Sequence, residues 1–375
     1  MRVAFYAPLK PPDHPTPSGD RRVAQLFFAA LQLAGHKVSL ASRFRSYEGY
    51  GDAARQVRLA SLGELLAERL LRHCLKAPEA APELWFTYHL YHKAPDWLGP
   101  PIADALSIPY VLAEASDAPK QAFGNWSIGR DATLRAIQRA DAVIGLNPGD
   151  RDCILPLLRD PWRWMSVKPF LDVAFFGRQE RTIPEVPRLI TIAMMRHGDK
   201  LASYRILGAA LSRLLDLTWS LEVIGDGPAK NQVEDALTPL KGRVIWSGVL
   251  GPAAIRDRLA SADLFVWPAL NEAFGMAVLE AQASGLPVVA GIGGGISEIV
   301  VSGITGLLVR AGDAQAFAAA VRSLIVDRDK RAAFAEAAQE RTRTEHDLYA
   351  VADRLALVID AVQSIHCRDR VHRRQ

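Results

Sequence analysis

The sequence predicts an α/β protein made of two consecutive, doubly wound parallel domains. Three observations carry that expectation. At 375 residues the chain exceeds what a single hydrophobic core normally supports. Short runs rich in Val, Ile and Ala alternate with longer segments of helical period, as in parallel sheets covered by helices on both faces. The alternation occurs twice, and residues 171–187, with two prolines and mixed charge, read as the linker between the two series.

Taken in order, the first series begins with a strand at 2–6, a helix at 23–34 and a strand at 37–41, with later strands at 83–87, 110–113 and 142–146. The second begins at 188–193 and continues with strands near 220–224, 244–246, 264–267 and 287–290. Between its last two strands Phe274-Gly275 opens a short helix, which Gly285 caps and Pro287 terminates. Helical segments at 314–327, 330–343 and 349–365 close the chain. The expected division is therefore 1–170, linker 171–187, 188–350, and a C-terminal helix with a basic tail at 351–375. Two such Rossmann-like domains facing one another leave a cleft at the carboxyl ends of their strands, where open α/β sheets bind ligands.

Composition narrows the function classes. An apolar content of 49% with 23% charged residues and no low-complexity tract describes a globular protein. No apolar run reaches about 18 residues, and residues 1–7 read as a strand and not a signal peptide, so a cytoplasmic protein is expected. Cys74, Cys153 and Cys367 are isolated and lack ligand spacing, which fits a reducing compartment. The net charge of +4 concentrates in the N-terminal half and the tail. That excess suits an anionic acceptor or peripheral contact with an acidic membrane, or is plain surface charge. Nucleic acid is disfavoured, because no basic stripe interleaved with aromatics appears.

Several residues carry chemistry. Glu280 falls in the apolar run 276–283, where a carboxylate is costly unless it bonds a partner such as a ribose or sugar diol. Glu272 precedes the helix start, so the free N–H groups of that first turn face what Glu272 faces, which suits a phosphate or sugar oxygen. Arg196 and Lys200 follow the first strand of the second series, where a fork and a mobile point charge can neutralise a diphosphate without a metal. Gly225 ends the next strand in a glycine turn, and Gly293-Gly-Gly295 permits close backbone approach. In the first half, Gly19 opens the first helix beside Asp20 and Arg21. Residues 85–97 mix aromatics with His89, His92 and Lys93, which suits stacking on a sugar and hydrogen bonding to its hydroxyls, or equally aromatic packing at a domain edge.

The E-x7-E spacing of Glu272 and Glu280, with Val266-Trp-Pro268 before it and Gly293-Gly-Gly-Ile-Ser-Glu298 after it, resembles the retaining family 4 glycosyltransferases of GT-B architecture. The resemblance covers nearly the whole chain and is most specific over residues 188–312. It implies transfer of a sugar from a nucleotide diphosphate sugar, UDP by family base rate, to a sugar, glycolipid or small-molecule acceptor, with retention and without a metal or bound cofactor. By the same resemblance Arg196 and Lys200 stabilise the departing diphosphate and Glu280 binds ribose. Glu272 orients the donor sugar beside the N–H groups of Phe274, Gly275 and Met276. Gly225 supports the phosphate loop, main chain at Val249 and Leu250 faces the base, and Gly19 touches the diphosphate or donor sugar. Three features depart from the family pattern: Arg196 and Lys200 are four apart, one fewer than in the commonest version, Ser18-Gly19 replaces paired glycines, and Ala115 stands where many relatives carry a His. His89 is then expected to serve the acceptor hydroxyl, pointing into the cleft on the side of Glu272, with Glu114 as the next candidate. An epimerase, an inverting transferase of the same fold and a non-catalytic sugar-nucleotide-binding protein are the rival readings.

Overall fold

The computed structural model describes residues 1–16, 18–177, 186–272 and 274–372, with side chains described through residue 366. The chain forms two units, Met1–Val167 with Leu348–Gln375, and Lys168–Asp347.

The first unit runs β1 (Arg2–Tyr6), α1 (Gly19–Leu33), β2 (Lys37–Leu40), α2 (Ala53–Lys76), β3 (Leu84–Leu90), α3 (Gly99–Leu106), β4 (Tyr110–Ala115), α4 (Ser127–Arg139), β5 (Ala142–Gly145), α5 (Pro148–Ile154) and β6 (Trp164–Ser166). The six strands make one sheet, β2-β1-β3-β4-β5-β6, every neighbouring pair parallel. The inner strands are buried along most of their length because helices cover both faces, whereas β2 at the edge alternates exposed and half-buried residues. Phe5 stacks on Phe86 with ring centroids 5.6 Å apart, and Phe27 of α1 lies 5.7 Å from Phe86 and 5.5 Å from Tyr88. Burying one such side chain stabilises the fold by about 1.5 to 3 kcal/mol. Helix α1 starts four residues before the apolar period that predicts it. Ser18 Oγ accepts from the Arg21 N–H at 3.2 Å, and that cap sets the start.

The second unit runs α6 (Val173–Phe176), β7 (Arg188–Ile192), α7 (Asp199–Leu211), β8 (Ser220–Ile224), α8 (Lys230–Leu237), β9 (Val244–Gly248), α9 (Pro252–Ser261), β10 (Leu264–Trp267), α10 (Met276–Ala283), β11 (Val288–Gly291), α11 (Ile296–Ile299), β12 (Gly306–Val309), α12 (Ala314–Val326) and α13 (Arg328–Glu345). Its sheet has the order β12-β11-β10-β7-β8-β9, again parallel. The last helix, α14 (Leu348–His372), returns to the first unit and packs on α1 with Leu355, Ile359 and Val362 buried.

The division falls earlier than the sequence suggests. Residues 171–177, assigned to the linker by their place between the two series, are part of the second unit. Leu171 pairs with Asp347, Asp172 caps α6, and Phe170, Leu171 and Phe176 are buried. Apolar side chains that find a core do not make a linker. Residues 178–185 of the expected linker lie outside the described residues. The chain crosses back at Leu348, against the expected residue 351.

Both sheets have a topological switch, and open α/β sheets bind ligands at the carboxyl ends beside it. In the second unit the chain moves outward from β7 to β9 and resumes at β10 on the other side of β7. In the first, it moves from β1 to β2 and resumes at β3 on the other side of β1. Among the described residues no helix is long and apolar enough to cross a membrane.

Candidate functional site

The second unit's switch point lies between β7 and β10, and the segments after these strands carry Lys200 and Glu272. The first turn of α7 presents Lys200, and Gly198 at φ +79° makes the turn into that helix. Lys200 Nζ donates to Glu272 Oε2, an ion pair across 72 residues of sequence. The indole N–H of Trp267, the last residue of β10, points at the same oxygen at 3.3 Å, and Nζ lies 5.5 Å from the Trp267 ring centroid. Both charged side chains remain part-exposed, at 29% and 21%, so a ligand can reach them.

Helix α7 braces this arrangement. Tyr204 packs edge-on against Trp267 with centroids 4.9 Å apart and donates its hydroxyl to the Ala193 carbonyl at 2.9 Å. Ser203 Oγ accepts from the Leu270 N–H at 3.1 Å. Ala269 and Asn271 adopt φ values of +54° and +49°, left-handed conformations that cost non-glycine residues about 1 to 3 kcal/mol and persist where surrounding structure enforces them. That bend carries the chain from the end of β10 to Glu272. The sequence singles out Trp267 only as part of a flanking motif and does not point to Tyr204 or Ser203, since their partners are set by the fold.

The remaining predicted residues fall around this centre in different ways. Arg196 is exposed and, among the described residues, its guanidinium has no hydrogen-bonding or ionic partner, so it is not drawn into the Lys200–Glu272 pair. Phe274 is buried, and Gly275 with φ +71° precedes α10, whose first residue is Met276; a Cβ on Gly275 would meet Ile296 Cδ1 at 2.4 Å. Glu280 is half-buried on the second turn of α10, between buried Leu279 and Ala281. Gly225 has a backbone reason to be glycine: at φ +145°, a Cβ would lie 2.0 Å from the Ala193 carbonyl oxygen. It lets the end of β8 close against the end of β7, the segment leading to Arg196. Val249 is exposed and Leu250 half-buried just after β9, two strands from β7.

The first unit resolves the aromatic stretch into two parts. Trp85 is buried and donates from its indole N–H to Thr87 Oγ1 at 2.9 Å; Thr87 in turn donates to Asp96 Oδ2 at 2.6 Å. Asp96 also accepts from the Tyr110 hydroxyl and from the Leu98 and Gly99 N–H groups entering α3, so these residues build the core. His89 belongs to the other part. It adopts φ +61°, its ring is 20% exposed, and Nδ1 lies 3.2 Å from Asp20 Oδ1. His92 is less available: its Nδ1 is enclosed without a partner, and burial together with Lys93 lowers its pKa. Gly19 begins α1 with open space where a Cβ would project. Ala115 ends β4, and Glu114 before it is held well above the ordinary carboxylate range by burial, with Asp150 and Asp20 adding to the effect.

Comparison with known proteins follows this layout. The model of the family glycosyl transferases group 1 matches residues 187–341. A sulfoquinovosyl transferase of Arabidopsis thaliana is 35% identical over 162 residues, 42% of this chain, and the match spans only 30% of the plant protein. An alpha-maltose-1-phosphate synthase of Mycolicibacterium smegmatis is 28% identical over 91% of this chain and 94% of its own length. Among solved structures, a sucrose-phosphate synthase of Thermosynechococcus elongatus superposes with a TM-score of 0.75 at 18% identity, covering 97% of this chain and all of that one. Anabaena HepE in complex with UDP gives 0.73 at 18% identity, covering 96% and 100%. At such identity these structures speak for the GT-B fold alone. The family match begins one residue before β7 and ends within α13, so it takes in the entire second sheet.

Proposed function

We propose that the protein transfers a sugar from a nucleotide diphosphate sugar to an acceptor hydroxyl, with retention of anomeric configuration and without a divalent metal. The observation that carries this reading is the Lys200–Glu272 pair beneath Trp267 at the β7/β10 switch point. Glu272 holds the ammonium group in place. A diphosphate arriving at the first turn of α7 meets that ammonium and the unpaired N–H groups of a helix N-terminus. Lys200 then shifts its charge toward the leaving oxygens, and Arg196, exposed nearby in sequence, supplies a second cation. Such preorganised charge acts on the bond-breaking step because negative charge on the diphosphate grows as the glycosidic bond stretches.

Glu272, relieved of part of its ion pair, accepts from donor sugar hydroxyls beside the N–H groups of Phe274, Gly275 and Met276. Glu280 accepts from the ribose. Gly225 shapes the loop beneath the phosphates, and main chain at Val249 and Leu250 borders the base. UDP is the nucleotide proposed, supported by the UDP bound in the structurally similar Anabaena protein. The first unit takes the acceptor, with His89 and Gly19 on its ligand side. If that acceptor is a glycolipid, the outward face of α2 suits an acidic membrane, since Arg55, Arg58, Arg69, Arg72 and Lys76 surround exposed Leu62 and Leu65.

Titration calorimetry with UDP, followed by NMR of the product formed from a UDP-sugar in the presence of EDTA, tests the reading. Tight UDP binding and an unchanged anomeric configuration are expected. An inverted product, or activity lost to EDTA and restored by magnesium or manganese, would sink the mechanism while leaving donor binding intact.

A further inference from the structure

The first unit has its own switch point, between β1 and β3, and a carboxylate and an imidazole meet there. Asp20 lies in the first turn of α1, which follows β1, and His89 lies near the carboxyl end of β3. His89 Nδ1 stands 3.2 Å from Asp20 Oδ1, within ion-pair distance, but is enclosed and not aligned for a hydrogen bond in this conformation; among the described residues Nε2 has no hydrogen-bond partner either. The imidazole is fixed from several sides. Tyr88 and Tyr91 meet it with ring centroids 5.7 and 5.1 Å away, the former edge-on. Its backbone is strained, and so is that of Glu114 on β4, at φ +61° and +63°. The register Tyr88↔Ala113 and Leu90↔Ala115 sets these two residues opposite each other on adjacent strands. Paired left-handed residues inside neighbouring parallel strands cost about 1 to 3 kcal/mol each, and such strain gathers at functional sites.

The charges around the ring sort themselves out. Glu114 has Oε2 enclosed and unpartnered, and burial, with Asp150 and Asp20, pushes its carboxyl well above the usual range; burial also raises Asp150. Burial works to raise Asp20 as well, but the His89 ring and Lys10 outweigh it and hold the Asp20 carboxyl below its usual range. Asp20 is thus the ionised partner of the imidazole. Its side chain is 33% exposed and that of His89 20%, so the pair is open to a ligand.

We propose that Asp20 and His89 form a dyad in which Asp20 holds the proton on Nδ1 and Nε2 removes the proton from the acceptor hydroxyl. This rests on the glycosyl-transfer reading and assigns the acceptor's proton to a side chain, where the family pattern has lost its His at Ala115. In the step, the bond from the anomeric carbon to the β-phosphate oxygen breaks and the acceptor oxygen bonds to that carbon on the face the diphosphate leaves, which keeps the configuration. The diphosphate leaves with the electron pair, and the acceptor proton moves to Nε2 and from there to solvent. His89 is the catalytic residue and Asp20 its positioning residue.

Two measurements on the full chain decide it. Long-range nitrogen–proton NMR of the neutral His89 ring, assigned with His89→Gln, reads which nitrogen carries the proton. The proton is expected on Nδ1 in the wild type, with that preference lost in Asp20→Ala. A proton on Nε2 in the wild type, or a tautomer indifferent to Asp20→Ala, overturns the dyad. The second measurement is turnover of UDP-glucose with water as acceptor, alongside UDP affinity. His89→Gln should lower kcat by about 10²-fold or more, and Asp20→Ala by about tenfold or more, each with UDP affinity kept. Unchanged kcat in both variants overturns the base role, as does a loss of UDP affinity equal to the loss of kcat. A wild-type protein that binds no UDP and turns over no UDP-glucose instead counts against the donor reading of the second unit, and the NMR result still decides the dyad.

Discussion

Lys200 and Glu280 are assigned to different parts of one donor, and substitutions can separate them. If Lys200 acts on the β-phosphate as proposed, Lys200→Ala should lower kcat by about 10²- to 10³-fold, comparable to losing one preorganised group at a developing anion. Affinity for UMP, which lacks that phosphate, should change little, and Arg196→Ala should follow the same pattern more weakly. Equal losses for UDP and UMP would remove the diphosphate role. Glu280→Ala should instead weaken UDP and UMP alike, by about 1 to 3 kcal/mol for hydrogen bonds to a charged group, because both retain the ribose. Calorimetry on the two ligands reads both outcomes. At this scale the sequence shows residue types but not pairings. That Glu272 meets Lys200 and that Asp20 meets His89 depends on β10 lying beside β7 and β3 beside β1. Neither adjacency is local in sequence.

The elements were largely legible, and their errors have physical causes. β1 and β10 follow apolar runs and β8 an alternation of Leu221 and Val223 with polar Ser220 and Glu222, and their bounds agree with the sequence reading. β3 and β4 run on past the residues expected, because each continues through a left-handed residue into the site. β6 and β12 escaped notice: each is short, lies at a sheet edge and is largely half-buried, and Trp164-Met165 and Leu307-Leu308-Val309 are apolar runs too brief to stand out. The glycine turns can now be told apart. Gly225→Ala should destabilise the protein by at least about 1 to 3 kcal/mol from backbone strain alone, before the clash with the Ala193 carbonyl. Gly19→Ala meets open space at a helix start and should leave the melting temperature unchanged. If Gly19 gives the donor close access, activity of Gly19→Ala nevertheless falls. Thermal unfolding beside a transfer assay distinguishes the two, and a large drop in melting temperature for Gly19→Ala would contradict the geometry.

Across the whole molecule, the chain passes between the units twice, and the two passages are fastened together on the second unit's side. His346 Nδ1 lies 2.6 Å from the Pro169 carbonyl oxygen, the Leu171 N–H donates to the His346 carbonyl at 3.0 Å, and Lys168 pairs with Glu345. His346 is fully buried, and burial lowers its pKa from 6.5 to about 4. Between those values the unfolded chain binds the proton and the folded one does not, so stability falls as pH drops from 6.5 toward 4. The loss amounts to about 3 kcal/mol at most. Denaturant unfolding of wild type and His346→Gln across that range checks the sign: the wild type should show the steeper fall.

The return of α14 to the first unit also bears on how the molecule comes to exist. Residues 168–347 form a continuous stretch with a complete sheet, whereas the first unit is assembled from both ends of the chain. A ribosome releases the N-terminal sheet long before it releases the helix that covers α1. In the interval the apolar face of α1 waits without its cover while the second sheet is already whole, so the unit made first is the one finished last, and the newborn chain is most exposed to misassociation at its oldest part.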